Sequence, residues 1–378
     1  MSEHIIPYDT TNSTNPFLME KKSNLLLGPE NKELTAEYIW NKIGKDRDNL
    51  VEWIFNHYRK NGFPKLQETE TNLRNTYEKL IKRDISDILN ERGEIKNSAS
   101  MGSNIIKHFC YDLLYATKGE KSPSCIDIFN DDDLLKRVIR NRCGYYTTKE
   151  DGTERPYVFA FSDAMLIQGM RSTAIGFNVS MFKTLVAKFI MKTHCIEGGK
   201  VLDYAAGFGQ RALAAGTLGL KYTGIDPFTY NAVNNMIKYF DITGNVYNDI
   251  SENNNIYKEL KDYDLAFSSP PFFNLEIYSN DNTQSYNKYN YDEWLSKYWE
   301  ETVKNCFGSL KTNGIFILSM IDKYGKNNLG IDMSSICKKY MKHEKTYNVK
   351  VSRSHLSGKK ESGVVSKTTE RFYVFRKL

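Results

Sequence analysis

From about residue 178 onward, short apolar runs alternate with amphipathic stretches, and no other feature narrows the fold so far. "VSMFKTLVAKFIMKTH" reads as an amphipathic helix. The strand "KVLDYAA" follows, then the helix "GQRALAAGTLG", the strand "KYTGIDP", the helix "TYNAVNNMIKYFDITG" and the short strand "VYNDI". "YDLAFSSPP" (strand), "YDEWLSKYWEETVKNCFGSL" (helix) and "GIFILSMI" (strand) continue the alternation. Strands that alternate with helices predict an α/β chain with a Rossmann-like, doubly wound, mostly parallel sheet. The last segment, "YNVKVSR…ERFYVFRKL", reads as a C-terminal antiparallel hairpin joined by a polar, basic loop over 354–370.

The first part of the chain reads differently. Residues 1–34 are polar and irregular. Residues 35–60 place apolar side chains at helical spacing, with Thr35 as N-cap, and "NGFP" at 61–64 ends the pattern. Residues 67–93 and 100–117 read as further helices, and 143–161 as a β-hairpin turning at Asp151-Gly152. The expected division is a mainly helical domain over 1–165 and a sheet domain over 166–378.

Composition sets outer limits. The 378 residues leave room for two domains, and 40% hydrophobic with 26% charged residues is ordinary for a globular chain. No run approaches ~18 apolar residues, so no membrane span is expected. The start, "MSEHIIPYDTTNSTNPF", carries no signal-peptide pattern. The six cysteines form no C-x-x-C pair and the six histidines no ligand spacing. A cytoplasmic protein with no metal and no disulfide framework is expected. The formal charge of +6 is uneven: residues 321–378 hold 14 Lys/Arg against 5 Asp/Glu. A polyanionic partner or a solvated lysine-rich surface would both account for that tail. The stretches 57–65 and 136–146 mix basic and aromatic residues, which suits phosphate contact and stacking or a charged helix face.

In "VLDYAAGFGQRALAAG" an apolar strand runs into a G-x-G turn and then a helix. Gly207 and Gly209 allow the backbone to approach a ligand, and the helix start offers free N–H groups. Asp203 and Ala205 stand in the same strand end and turn. Asp226 ends the next strand in "GIDP", where a carboxylate suits two ribose hydroxyls. Asp249, in "YNDI", ends the third, where it or its neighbouring amides suit an adenine amino group. Ligands of open α/β sheets bind along that edge. A dinucleotide fingerprint would carry a third glycine at 212, where this chain has Ala212.

About 60 residues after the G-x-G turn comes "SSPPFF". "VLDYAAGFG", "GIDP", "NDI" and "SSPPF", in this order, resemble the motifs of the S-adenosylmethionine-dependent amino-methyltransferases that act on DNA. Those enzymes share a [D/N/S]-P-P-[Y/F/W] motif. The likeness covers about residues 170–378 and extends to phage and bacterial DNA modification methylase-like proteins; residues 1–160 lie outside it. It implies S-adenosylmethionine as cofactor and methyl transfer to an exocyclic amino group of a flipped DNA base.

Ser269, Pro270, Pro271 and Phe272 are then the expected catalytic residues. Two prolines fix the Pro270 carbonyl as acceptor for one amino hydrogen, the Ser269 side chain accepts the other, and Phe272 offers a face to the base. Serine at the motif's first position favours N4 of cytosine over N6 of adenine. The likeness also places Phe177 and Asn178 over the methionine end of the cofactor, with Arg171 for its carboxylate; a helix-entry loop capped by Asn178 or Ser180 is the alternative. Glu276 and Tyr278 are expected in a mobile, substrate-facing loop over 273–290. An RNA base as target, or a non-catalytic DNA-binding subunit, are the alternatives. A base reader, if there is one, would lie in 1–160. A partner nuclease and a place in restriction-modification are left open.

Overall fold

The computed structural model describes residues 25–28, 31–64, 68–96, 100–117, 122–143, 145–148, 152, 154–157, 160–172, 179, 181–278, 283–350 and 370–378. In chain order α1 (Ala36–Asn61), α2 (Glu70–Lys82), β1 (Ile95–Lys96) and α3 (Ser103–Phe109) come first. α4 (Cys125–Asn130), α5 (Asp132–Arg142), the hairpin of β2 (Tyr145–Thr148) and β3 (Glu154–Tyr157), and α6 (Asp163–Ser172) follow. The alternation then runs α7 (Thr184–His194), β4 (Lys200–Asp203), α8 (Gln210–Gly216), β5 (Lys221–Ile225), α9 (Tyr230–Tyr239), β6 (Gly244–Tyr247) and β7 (Tyr263–Ser268). α10 (Tyr291–Glu293) passes through a π-helical stretch, Trp294–Trp299, into α11 (Glu300–Ser309). β8 (Leu310–Ile321), α12 (Leu329–Cys337), β9 (Lys342–Lys350) and β10 (Glu370–Arg376) complete the chain.

These elements form two compact units, Met1–Glu70 with Thr117–Asn178, and Thr71–Ala116 with Val179–Leu378. That differs from a contiguous split at 165. Leu80, Ile95, Ile105 and Ile106 are fully buried in one cluster with Val201, Leu213 and Leu265, so residues 71–116 belong to the sheet's core. Helical periodicity marks an apolar face but not the core that receives it.

In the first unit, Thr35 caps α1 by accepting from Tyr38 N at 3.0 Å, as its sequence position predicts. Three basic residues of 57–65 and 136–146 pair with carboxylates of the same unit. Arg59 pairs with Asp132, Lys136 with Glu52 and Arg140 with Asp48.

The second unit is built on an eight-stranded sheet in the order β1-β9-β10-β8-β7-β4-β5-β6. Only β10 runs antiparallel, to both β8 and β9. The C-terminal pair is antiparallel as expected, but β10 slots between β8 and β9. Alternation decides which face each side chain meets. Val201, Leu265, Ile315 and Ile317 enter one core, and Leu202, Ala266, Phe316 and Leu318 enter the other. A sheet covered on both faces needs such continuous apolar strands. α12 was not read from the sequence. No helix among the described residues is long and apolar enough to cross a membrane.

His194, at the end of α7, places Nε2 3.1 Å from the Tyr347 hydroxyl on β9. Burial, then Lys345 and Arg376 against the opposing Glu344, lowers its pKa to about 4 from 6.5. Below pH 6.5 the unfolded chain therefore takes up a proton that the native state refuses, and stability falls until the pH reaches about 4. The expected loss is about 2 kcal/mol at pH 5, reduced by the ring's partial exposure. Thermal melts at pH 7 and pH 5 check this: His194→Gln should lose less on acidification than the parent chain.

Candidate active site

β5 and β6 lie on one side of β4, whereas β7 lies on the other, so the direction of winding reverses between β4 and β7. The loops beyond these strands diverge there and leave a crevice. An open cavity occupies it, lined from the ends of β4 to β7 and from the segment after β7.

The G-x-G turn forms the first wall. Gly207 (φ 57°) and Gly209 (φ 92°) both adopt left-handed backbone. A Cβ on Gly207 would meet nothing closer than 3.8 Å, whereas one on Gly209 would press to 2.9 Å on Met236 of α9. Gly207 and Ala205 line the cavity; Gly209 does not, and serves the entry of α8 and its packing.

Asp226 lines the cavity, but its carboxylate is already engaged. Oδ2 accepts from Gly207 N at 2.9 Å, and Oδ1 accepts from Phe228 N and Thr229 N, each at 2.9 Å. A carboxylate offers about four acceptor positions, so roughly one remains for a ligand. The expected clasp on two ribose hydroxyls gives way to a different role: Asp226 fixes the G-x-G turn against the end of β5. Burial raises its pKa, and the three amides partly offset that.

Asp203 departs further from its expected role. It is fully buried and absent from the cavity wall. Its Oδ2 takes Arg211 Nε at 2.8 Å and the Tyr222 hydroxyl at 2.7 Å. The other arm of Arg211 donates to the Ala205 carbonyl, which also receives the Ser268 hydroxyl at 2.9 Å. Ala205 belongs to the first wall and Ser268 ends β7, so one carbonyl ties the G-x-G turn to the S-P-P-F turn. Arg211 was not singled out from sequence, because eight residues of helix and turn hide its pairing with Asp203.

The second wall is the end of β7. Ser269 and Pro271 line the cavity. No hydrogen bond engages the Ser269 side chain or the Pro270 carbonyl among the described residues, whereas Ser268 is spent on Ala205. Phe272 is absent from the wall and packs against the core that holds Trp294 and Phe316. Phe273, in left-handed backbone at φ 55°, sets its ring 5.6 Å from Trp294. The turn thus sets both phenylalanines, half-buried, against that core, and the aromatic residues that line the cavity are Tyr204, Phe208, Phe228, Tyr278 and Tyr298.

The described part of 273–290 is folded, not an open loop. Leu275, Glu276 and Ile277 are buried, and Gln284 is 3% exposed. Gln284 accepts from Tyr278 N at 2.8 Å and donates to the Glu276 carbonyl at 2.8 Å. The Tyr278 hydroxyl donates to Glu276, and burial followed by that carboxylate raises its pKa well above the ordinary value. Phe177 and Asn178 lie outside the described residues.

Charge distinguishes this cavity. Asp226, Asp249 and Glu252 line it, and none of its described lining residues is lysine or arginine. Asp249 is oriented by Ile250 N at 2.8 Å and by Asn253 Nδ2 at 3.0 Å. Lys288 stands 3.6 Å from Glu252, whose pKa burial raises. Such a wall disfavours a pyrophosphate and favours a ligand carrying positive charge. Among the described residues no three His, Cys, Asp or Glu side chains group as a metal site.

No protein-family model matches the sequence, and no curated protein does. Solved structures similar to part of the chain include TrmN from Thermus thermophilus, at 12% identity and a TM-score of 0.38. That overlap covers 52% of this chain and 49% of TrmN, about half its length. A TehB-like SAM-dependent methyltransferase from Corynebacterium glutamicum overlaps 51% of this chain and 87% of its own, at 16% identity and a TM-score of 0.34. A putative RNA methyltransferase from Pyrococcus horikoshii overlaps 52% and 83%, at 13% identity and a TM-score of 0.35. Likeness of this degree assigns no substrate.

Proposed function

We propose that the cavity binds S-adenosylmethionine and that the protein transfers its methyl group to an exocyclic amino group of a DNA base, N4 of cytosine before N6 of adenine. The observation that carries this reading is a crevice at the sheet's switch point, walled by three carboxylates and no described cation, with an unengaged Ser269 hydroxyl at its edge. When bound, S-adenosylmethionine supplies a methyl group on a positively charged sulfur. Gly207 leaves the space that a nucleoside needs, and the remaining acceptor on Asp226 with the fixed carboxylate of Asp249 suits its hydroxyl and amino hydrogens.

The target's amino nitrogen has its lone pair drawn into the ring. Two acceptors that hold its hydrogens favour the pyramidal geometry of attack. The Ser269 hydroxyl and the Pro270 carbonyl are both unengaged at the end of a strand that Pro270-Pro271 terminate rigidly. Phe208, Phe228, Tyr278 and Tyr298 offer the faces against which flat rings stack. No strong base is required, because the proton becomes acidic as the carbon–nitrogen bond forms.

The test is transfer of labelled methyl from S-adenosylmethionine to unmodified DNA and RNA, followed by nucleoside mass spectrometry. Label in N4-methylcytosine of DNA is the expected result. Label in N6-methyladenine alone would move the target base, and label in RNA alone would move the substrate class. Tight binding of a nicotinamide dinucleotide without methyl transfer would sink the reading.

A further inference from the structure

The three carboxylates on the cavity wall differ in how far their charge is already used. Asp226 accepts three backbone amides, and Asp249 accepts from Ile250 N and Asn253 Nδ2. Glu252 is different: its side chain is 9% exposed, and its Oε1 is buried with no hydrogen-bond partner among the described residues. Lys288 Nζ stands 3.6 Å from that oxygen, within reach of an ion pair but beyond a hydrogen bond. Glu252 lines the cavity and Lys288 does not, so a ligand there meets the carboxylate before the ammonium.

Local structure fixes where this ammonium sits. Thr283, Gln284 and Ser285 line the cavity. Gln284 is tied to Tyr278 N and to the Glu276 carbonyl, and Ser285 Oγ accepts from Trp294 Nε1 at 2.9 Å. Asn287 N then donates to the Gln284 carbonyl at 3.1 Å, and Lys288 N to the Ser285 carbonyl at 3.2 Å. The backbone under Lys288 is held, and its flexible stem carries the charge to Glu252. Burial raises the pKa of Glu252, Lys288 opposes that, and Asp249 adds to it. The other groups that feel this carboxylate are the hydroxyls of Tyr257 and Tyr298, which burial keeps neutral.

We propose that the Glu252–Lys288 pair sets the cavity's preference for a sulfonium nucleoside over its thioether counterpart, and so separates the methyl donor from its demethylated product. The inference rests on the methyl-donor reading and adds a selecting pair to it. The two nucleosides share every group except the methyl on sulfur, and that methyl brings the positive charge. Contacts to base, sugar and amino-acid end are common to both, whereas a fixed negative charge favours one. A carboxylate in a largely buried wall acts over several ångströms, because little water screens it. Lys288 keeps Glu252 ionised without filling its acceptor positions. Product held less tightly than donor leaves sooner, so the pair also limits inhibition by product.

The experiment is calorimetric titration of the full-length chain with S-adenosylmethionine and with S-adenosylhomocysteine, each at pH 8 and pH 6. The ratio of the two dissociation constants cancels what the ligands share. Glu252→Gln should reduce the preference for S-adenosylmethionine about fivefold at pH 8, roughly the effect of one charge several ångströms away in a partly screened wall. In Lys288→Met the preference should fall between pH 8 and pH 6, because without the ammonium Glu252 takes up its proton at a higher pH. The parent chain and Lys288→Arg should hold their preference over that range. A ratio that neither Glu252→Gln nor Lys288→Met changes, while both nucleosides bind, would overturn the pair's role and leave the cofactor reading standing. Equal weakening of both nucleosides would make the pair structural and would equally overturn the proposal. Neither nucleoside binding to the parent chain would remove the cofactor reading and this inference with it.

Discussion

Asp226→Asn should lose about 100-fold in affinity for S-adenosylhomocysteine while the sheet stays folded. The carboxylate accepts three amides, from Gly207 on one oxygen and from Phe228 and Thr229 on the other. Asparagine keeps one acceptor oxygen and turns the other into a donor. Whichever way its amide is placed, at least one backbone N–H then faces an N–H. A hydrogen bond to a charged group is worth about 1.5–3 kcal/mol, and a donor opposed to a donor adds to that loss, so about 3 kcal/mol is expected. The loss falls on the turn that shapes the cavity, so affinity should drop further than thermal stability. Calorimetric titration alongside a thermal melt separates the two. An affinity within about threefold of the parent would show that the turn holds its shape without this carboxylate. Protonation does to Asp226 what asparagine does. Because burial raises its pKa, affinity should begin to fall at a milder acidity than for an exposed aspartate.

Arg211→Met is expected to be the most destabilising single change at the site. The guanidinium is 4% exposed and its partner Asp203 is fully buried. Removing one member of such a pair strands the other charge away from water, at about 3–5 kcal/mol. The Tyr222 hydroxyl still reaches Asp203 but carries no charge. The double variant Asp203→Asn/Arg211→Met should recover part of the stability, because no buried charge is left without a partner. It should not recover transfer activity to the same extent, because the Ala205 carbonyl loses the guanidinium and is left with the Ser268 hydroxyl alone. Thermal or urea unfolding of the single and double variants measures the first effect, and the labelled-methyl assay measures the second. A single variant within about 0.5 kcal/mol of the parent chain would remove Arg211 as the tie between the two turns.

The elements that were legible in the sequence are those set by local chemistry. Thr35 caps α1 because a hydroxyl ahead of an apolar helical pattern has nearby amides to accept from. The alternation from residue 178 marks β4 to β10 in chain order, though not β1, and the glycines at 207 and 209 mark a turn between strand and helix. The prolines at 270 and 271 marked a strand's end. Each depends on a few neighbouring residues, and a pattern of period 2 or 3.6 records which face is apolar.

Other features depended on residues far apart in the chain. Residues 71–116 look like part of a helical domain, yet Leu80, Ile95 and Ile105 complete the core beneath the sheet. β10 slots between β8 and β9, a choice of partner that two amphipathic strands leave open. Phe272 is expected to offer a face to a base, but it lies half-buried against the core around Trp294 and Phe316, outside the cavity wall.

The sequence by itself determined that a glycine turn and a proline-locked turn would each stand at a strand's end. Only the tertiary structure decided what each polar group there was free to do. Asp203 is consumed by Arg211 and Ser268 by Ala205, three amides leave Asp226 about one acceptor position, and Ser269 and Gln210 are left with unfilled hydrogen-bonding capacity. The reason is that hydrogen bonding saturates: a donor or acceptor is available to a ligand only where no neighbour has taken it, and those neighbours are brought together by the fold.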